Sequence, residues 1–278
     1  MAGYVITLSS IPPRFPRLAL TLETLLRQTV PAERIIVYLP KSYRRFPDWD
    51  GVLPEVPEGV EIRQVDEDFG PATKLLPALR EFAPTQEILF CDDDMDYPRD
   101  WAAAFLKQRQ RRPDDCITLC AGIVEVMPLR ARKNLLKPRA IRMWRIFDME
   151  QNLRLMVEAF GRRFLGWPHR FVGRRRCLIA GHMDNFMGFG GVLVRPEFFD
   201  ADVFDIPEEA WSVDDIWLSG IAMKNGHPVW MIPRRREATS HPHFNEAALT
   251  EMDGGGQGRD EANARAVRYL QARYGIWL

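Results

Sequence analysis

Four carboxylates crowd one short stretch, Asp92-Asp93-Asp94-Met95-Asp96, directly after the apolar run Glu87-Ile-Leu-Phe-Cys91. Carboxylates this close repel one another, and a cation among them relieves the repulsion. Hard divalent cations take oxygen ligands; Mg²⁺ usually binds one or two carboxylates and takes its remaining ligands from water and substrate phosphates. In an extended segment Asp92 and Asp94 point to one side and Asp93 to the other. Such a D-x-D pair can hold a metal that in turn grips a diphosphate. A solvated turn or a helix N-cap accounts for one or two aspartates, as at Asp100, but poorly for four. An EF-hand loop is excluded, because Tyr97 and Ala103 stand where its Gly and Glu are required.

Other residues carry chemistry by their position. Lys74 opens a predicted helix after Gly70-Pro71, and a helix N-terminus with a cation suits a phosphate. Asp68, just before it, is a candidate for a nucleotide's ribose or base. Thr7, Ser9 and Arg14 follow or end the first apolar strand and are candidates for nucleotide contact. Asp214 and Asp215 open another predicted helix, where a simple cap is the structural alternative to a catalytic role. His241-Pro242-His243 is a short, stiff histidine pair, whereas His169, His182 and His227 read as structural. The segment Asp253-Gly-Gly-Gly-Gln-Gly258 lacks the G-K-[ST] ending of a P-loop. Its glycines predict a mobile loop able to act as a lid.

The elements that must position these residues are short apolar runs alternating with helical patterns. Tyr4–Leu8, Ile35–Leu39, Val60–Val65 and Glu87–Cys91 read as strands. Helical spacing covers Leu18 to Leu26, Lys74 to Phe82, and a segment opened by Trp101, Ala104 and Phe105. This β-α-β-β-α-β-α order predicts an α/β layered domain with a mostly parallel sheet. In such sheets ligands gather beyond the carboxyl ends of the strands. Residues 128–180 differ in character, with fourteen Lys and Arg against three acids, a net of +11 that the rest of the chain offsets. Helix is expected there, for example over Ile146 to Phe160. Met143, Trp144, Ile146, Phe147, Phe164, Leu165 and Trp167 give this stretch the apolar partners of an interfacial helix. A solvated helical face is the plainer reading. After Gly188 the pattern resumes: a strand at Gly191–Val194, a helix at Asp214–Lys224, a strand at Pro228–Ile232 and a closing helix from Asp260 to Tyr274. The inner face of that last helix is Ala266, Val267, Leu270 and Tyr274.

Composition bounds the alternatives. Of 278 residues 46% are hydrophobic and 27% charged, which excludes a disordered or fibrous chain. Lys+Arg and Asp+Glu are both 38, against a general polyanion binder. Cys91, Cys116, Cys120 and Cys177 have neither disulfide-framework density nor zinc spacing and are expected to be reduced. The start MAGYVITLSS has no basic n-region, and no uncharged apolar stretch nears the roughly 18 residues of a membrane span.

Taken together these motifs resemble a GT-A glycosyltransferase of the broad family-2-like group. Asp92-Asp93-Asp94 after a strand resembles the D-x-D motif, and Gly188-Phe189-Gly190-Gly191 the glycine loop near donor and acceptor. Val213-Asp214-Asp215 resembles x-E-D, whose last acid is often the base of inverting members. His241 and His243 resemble the C-terminal histidine that completes a metal shell. Asp68-Phe-Gly-Pro-Ala-Thr-Lys74, Ile11-Pro-Pro-Arg14 and Gln28-Thr29 fit a subset of these proteins. The likeness covers about residues 4–126 and 185–245. One departure is the segment Pro40-Lys-Ser-Tyr-Arg-Arg45, which has no acid where family members often carry a base-reading acidic loop.

The resemblance implies a GT-A-type Rossmann-like α/β/α sandwich, a single catalytic domain over 1–278. Its parts would be a nucleotide-binding half at 1–126 and an acceptor-side half with the C-terminal helix at 185–278; residues 128–180, which have no counterpart in the resemblance, read from their composition as a basic, largely helical insertion or subdomain. The implied reaction is metal-dependent transfer of a sugar from a nucleoside-diphosphate donor to a hydroxyl acceptor, with inversion expected. The acceptor would be a cell-surface polysaccharide, lipopolysaccharide or glycolipid precursor. Asp92 and Asp94 would hold Mn²⁺ or Mg²⁺, with His241 or His243 completing the shell. Asp215 would be the base, with Asp214 as alternate. Thr7, Ser9, Arg14, Asp68, Lys74, Asp92 and Asp93 would contact the donor. The expected partners are the nucleotide-sugar donor, a glycan or lipid-linked acceptor and, for the basic region, an anionic membrane surface; nucleic acid is not expected. The expected location is cytoplasmic, peripheral at the inner face of the membrane. A sugar nucleotidyltransferase usually carries a glycine-rich signature after strand one, and Ser9-Ser-Ile-Pro-Pro-Arg14 has no glycine. A non-catalytic sugar-nucleotide or membrane-surface binding module would keep its function in Asp92→Ala and Asp215→Ala.

Overall fold

The computed structural model describes residues 3–132, 135–143, 148–167, 173–241 and 256–278. Its main sheet uses β1 (Tyr4–Ser9), β2 (Arg34–Pro40), β3 (Val60–Val65), β4 (Glu87–Phe90), β6 (Cys116–Thr118), β10 (Gly181–Met183), β12 (Val192–Val194) and β13 (Val229–Met231), numbered in chain order. Three short pairs complete the strands among the described residues: β5 (Met95–Asp96) with β14 (Thr239–Ser240), β7 (Ala121–Gly122) with β11 (Asn185–Phe186), and β8 (Ile141–Arg142) with β9 (Cys177–Ile179).

Central strands bury both faces, which is why they read as continuous apolar runs. Along β1, Tyr4, Ile6 and Leu8 enter one half of the core and Val5 the other; along β4, Leu89 enters the first and Ile88 and Phe90 the second. α1 (Leu18–Leu26) covers one face, together with α3 (Trp101–Arg109), through Leu18, Leu22, Leu25, Trp101 and Phe105. α2 (Leu76–Glu81), α6 (Asp214–Lys224) and the C-terminal helix (Gly256–Tyr274) cover the other, through Leu76, Trp217, Leu218, Ile221, Val267 and Leu270. The result is the expected α/β/α sandwich.

Sheet order is β10-β13-β6-β12-β4-β1-β2-β3. β3, β2, β1 and β4 run parallel, as do β6 and β13. β12 lies antiparallel between β4 and β6, and β10 antiparallel to β13. The sheet is therefore mostly parallel, with one strand reversed near its middle. The reversal has a consequence for the site. β12 starts beside the carboxyl end of β4, with Val192 opposite Phe90, so the glycine turn before β12 abuts the aspartates after β4.

Three expectations shift. The helix expected over Lys74–Phe82 divides into a 3-10 turn, Gly70–Lys74, and α2. Pro77 lacks an N–H and is tolerated only in a first helical turn, so the α-helix starts at Leu76. In the basic region α4 (Leu129–Arg132) is short, while α5 (Met149–Leu165) replaces the expected Ile146–Phe160. Asp148 caps α5 by accepting from the Gln151 N–H at 3.1 Å, and Gly166, at φ 66°, ends it in the left-handed region. Trp144, Ile146, Phe147 and His169 lie outside the described residues. Finally, Gly256–Gly258 of the expected loop form the start of the C-terminal helix, ahead of Asp260; residues 253–255 lie outside the described residues. All four cysteines are free and buried. No helix among the described residues is long and apolar enough to cross a membrane.

Candidate active site

A cleft of about 290 Å³ opens at the carboxyl edge of β1, β2 and β4. Ser9 and Ser10 reach it from the end of β1, and Arg14 from the 3-10 turn Pro12–Arg17 that follows. The loop after β4 supplies Asp92, Asp93 and Asp94; the Gly70–Lys74 turn supplies Lys74; the first turn of α6 supplies Asp214 and Asp215. The expected crowding of acids is real, and it is met by two cations from distant segments. The buried Lys74 Nζ donates to Asp92 Oδ1 at 2.7 Å and lies 3.0 Å from Asp214 Oδ2. Arg14 Nη1 lies 2.7 Å from Asp93 Oδ1 and 3.3 Å from Asp94 Oδ2.

This pairing differs from simple alternation, because residues 93 and 94 form a turn rather than an extended strand. Asp93 and Asp94 share Arg14, while Asp92 is directed to Lys74. Asp93 is the most anchored of the three. Ser10 Oγ donates to its carboxylate at 2.5 Å, and Thr21 Oγ1 donates to its backbone carbonyl at 2.7 Å. Burial, with the fields of Asp93 and Asp92, pushes the Asp94 carboxyl up to about 7, against the pull of Arg14. Burial also opposes a charge on Lys74, but Asp214, Asp92 and Asp215 together hold its ammonium well above the usual lysine range.

Asp215 does not cap its own helix. Its Oδ1 accepts the Gly188 backbone N–H at 2.9 Å, across the cleft floor. Burial and then Asp214 push its carboxyl up to about 7, with Lys74 and the Gly188 N–H pulling the other way. The glycine is required. A Cβ at Gly188 would lie 2.5 Å from Lys74 Nζ, 3.1 Å from Asp92 Oδ1 and 3.2 Å from Asp215 Oδ1. At the other end of the turn Gly191, at φ 88°, passes so close to Trp101 that a Cβ would meet the ring at 2.3 Å. Trp101 Nε1 also donates to the Gly190 carbonyl at 2.9 Å. The glycine turn is thus a fixed bridge between α3, the aspartate turn and α6.

The remaining candidates divide. Asp68 lines the cleft, accepting from the backbone N–H of Gly70 at 2.8 Å and of Arg44 at 2.7 Å. Thr7 does not line it: this side chain is fully buried, and the Thr7 carbonyl accepts the Cys91 N–H at 3.1 Å. Its β1 position puts it one layer below the edge. His241 is brought close by its backbone, whose N–H donates to the Asp94 carbonyl at 3.0 Å beside the β5–β14 pair. Burial holds the imidazole below the usual histidine range, with Asp96 opposing. His243 lies outside the described residues. Among the described residues no group of three or more His, Cys, Asp or Glu is arranged to hold a metal on its own.

Sequence reasoning missed the aromatic and basic wall. Tyr43 lines the cleft from the loop after β2, and its hydroxyl donates to the Ser10 carbonyl at 2.9 Å. Its ring packs edge-on against Phe15, Phe46 and Trp49. Trp211 and Arg259 line the cleft from the α6 side. The Arg44 guanidinium lies 4.9 Å from the Trp211 ring centre, linking the two walls. The dense Phe, Tyr and Trp content of residues 43–49 was the available signal for Tyr43; nothing local marks Trp211 or Arg259.

No protein-family model matches the sequence, and no curated protein matches it. Among solved structures, the 1–349 portion of S. aureus TarS in complex with UDP matches at 11% identity and a TM-score of 0.48, over 99% of this chain and 67% of that one. The same portion of S. aureus TarS in a second structure gives 12% identity and 0.45, over 98% and 72%. A longer S. aureus TarS structure gives 12% and 0.45, over 99% of this chain and 44% of that one. At these values the likeness carries no argument about chemistry.

Proposed function

We propose that this chain is a metal-dependent glycosyltransferase. It moves a sugar from a nucleoside-diphosphate donor to a hydroxyl acceptor, a polysaccharide, lipopolysaccharide or glycolipid precursor, with inversion. The observation that carries this reading is the placement of Asp215. It shares one cleft with Asp92 and Asp94 at the carboxyl edge of the sheet and titrates near neutrality. A carboxylate in that range is suited to take the proton of an attacking hydroxyl, and general-base help of this kind is typically worth about 10²–10⁴ in rate. Asp214 is the poorer candidate because Lys74 already compensates its charge.

The proposed ion is Mn²⁺ or Mg²⁺ in a shared site, with two carboxylates from the protein and further ligands from a diphosphate. Asp92 and Asp94 would hold the ion, with His241 or His243 as the protein's further donor. When bound, it would supply positive charge for the leaving diphosphate. Lys74 pairs with Asp92 and Asp214, and Arg14 fixes Asp93 and Asp94 in the turn. Tyr43, Asp68 and Trp211 form the wall against which a nucleoside would pack.

The test is nucleotide release from a panel of UDP-, GDP- and dTDP-sugars and CMP-sialic acid, with Mn²⁺ or with EDTA, alongside thermal unfolding of the same mixtures. A donor at 100 times its Kd should stabilise the fold by about 2.7 kcal/mol. Release and stabilisation by one donor, both lost with EDTA and in Asp94→Ala, are expected. A flat panel in both readouts would overturn the proposal.

A further inference from the structure

α5 turns its apolar side outward. Met149, Leu153, Met156, Val157, Phe160 and Phe164 recur at helical spacing and fall within an arc of about 100°. All six are exposed, Met149 to 81%, Met156 to 69% and Phe164 to 68%. The residues of α5 that are buried or half-buried are Glu150, Gln151, Glu158 and Gly161, none of them a large apolar side chain; Leu155, on the opposite side from the stripe, is still 45% exposed. This inverts the usual surface helix, which turns its apolar stripe to the core. Six large side chains held in water at these exposures imply something that covers them.

The charges nearby indicate what. The single carboxylate of Glu150, in the first turn of α5, is shared by Arg154 at 3.3 Å, Arg175 at 3.0 Å and Arg236. Arg175 and Arg236 also line a separate cleft with Arg234 and Arg235, where Asp100 contacts Arg235. Arginine is therefore in excess at the root of the helix, and residues 128–180, which include α5, carry a net charge of +11. Pairing two copies of this face would oppose two such stretches, whereas an anionic surface is attracted to them.

We infer that α5 and its arginine collar dock on an anionic lipid bilayer, the apolar stripe in the acyl boundary and the arginines at the headgroups. Interfacial helices have this make-up, a large apolar face joined to Arg-bearing polar flanks. The dock is tied to the active cleft through the chain itself. Arg236, held by Glu150, leads through β14 to His241, whose backbone binds Asp94. The inference does not depend on the transferase reading, because binding is measured without any donor.

The test is co-sedimentation of the full chain with vesicles of phosphatidylcholine alone and of phosphatidylcholine with a quarter phosphatidylglycerol. Binding to the anionic vesicles, little to the neutral ones, and a decline with salt are expected. Leu153→Ser/Phe160→Ser should lower partitioning on the order of tenfold or more without lowering the melting temperature, since both side chains face water. Arg154→Glu/Arg163→Glu should weaken binding to anionic vesicles and leave the neutral background unchanged. Absence of anionic-vesicle binding, or equal binding by wild type and Leu153→Ser/Phe160→Ser, would overturn the inference. So would a wild-type dimer that Leu153→Ser/Phe160→Ser converts to a monomer, which would make the stripe a self-association face.

Discussion

Asp215→Asn should make this protein more stable and nearly inactive. The carboxyl is raised from 3.8 to about 7, so the folded chain binds its proton more tightly than the unfolded chain does. Stability from this group is complete below about pH 4 and is lost as pH rises through about 7. A shift of that size, at 1.36 kcal/mol per unit, amounts to about 4 kcal/mol at pH 8. Asparagine is close in shape, keeps an oxygen for the Gly188 N–H, and carries no charge to bury. Urea unfolding of wild type and Asp215→Asn should therefore differ by up to about 4 kcal/mol at pH 8 in favour of the variant, by about 2 at pH 5, and hardly at all below about pH 4. In the same proteins, kcat/KM of the wild type should rise with pH through about 7 as Asp215 ionises. Asp215→Asn should lose about 10²–10⁴ of it at pH 8. A variant no more stable than wild type at pH 8 would refute the argument that Asp215 is a buried carboxylate held against its preference.

Three further perturbations separate the roles in and around the cleft. Gly188→Ala places a Cβ against Lys74 Nζ, which cannot withdraw without leaving Asp92 and Asp214. A lower melting temperature and a loss of transfer that a donor excess does not restore are expected, read by thermal scan and initial rates. Lys74→Met leaves three neighbouring carboxylates without their cation and should cost about 3–5 kcal/mol at pH 8. The loss should shrink toward pH 5, where Asp215, its carboxyl pushed up to about 7, takes up a proton and one of the three charges is gone, which urea titrations at the two pH values would show. Arg109→Met removes a buried guanidinium bound to Glu87 at 2.9 Å and to the Leu193 and Asp115 carbonyls, away from the cleft. It should cost a similar amount, about 3–5 kcal/mol, with activity per folded molecule unchanged.

Much of the framework was legible from residue order. Strands such as Ile35–Leu39 and Glu87–Cys91 declare two-sided burial by their unbroken apolar runs, and the helices between them by their spacing. The aspartates after β4 and those opening α6 were legible too, since crowded carboxylates and helix starts are properties of short windows. The 3-10 turn at Gly70–Lys74 was less so, because Pro77 decides where the α-helix can begin only once its register is known.

What short windows cannot carry is which distant charge answers which. Arg14 is 79 residues from Asp93, and their pairing exists only because β1 and β4 are neighbours in the sheet. The reversed β12 brings Gly188 to Asp215 in the same way, and so turns an apparent helix cap into a buried carboxylate titrating near neutrality. The aromatic wall at Tyr43 and Trp211 likewise joins loops that no local pattern links. For α5 the apolar stripe can be read from spacing, but an amphipathic helix has the same pattern whichever face it buries. Only its packing against the chain, polar side inward through Glu150, decides that the stripe looks out.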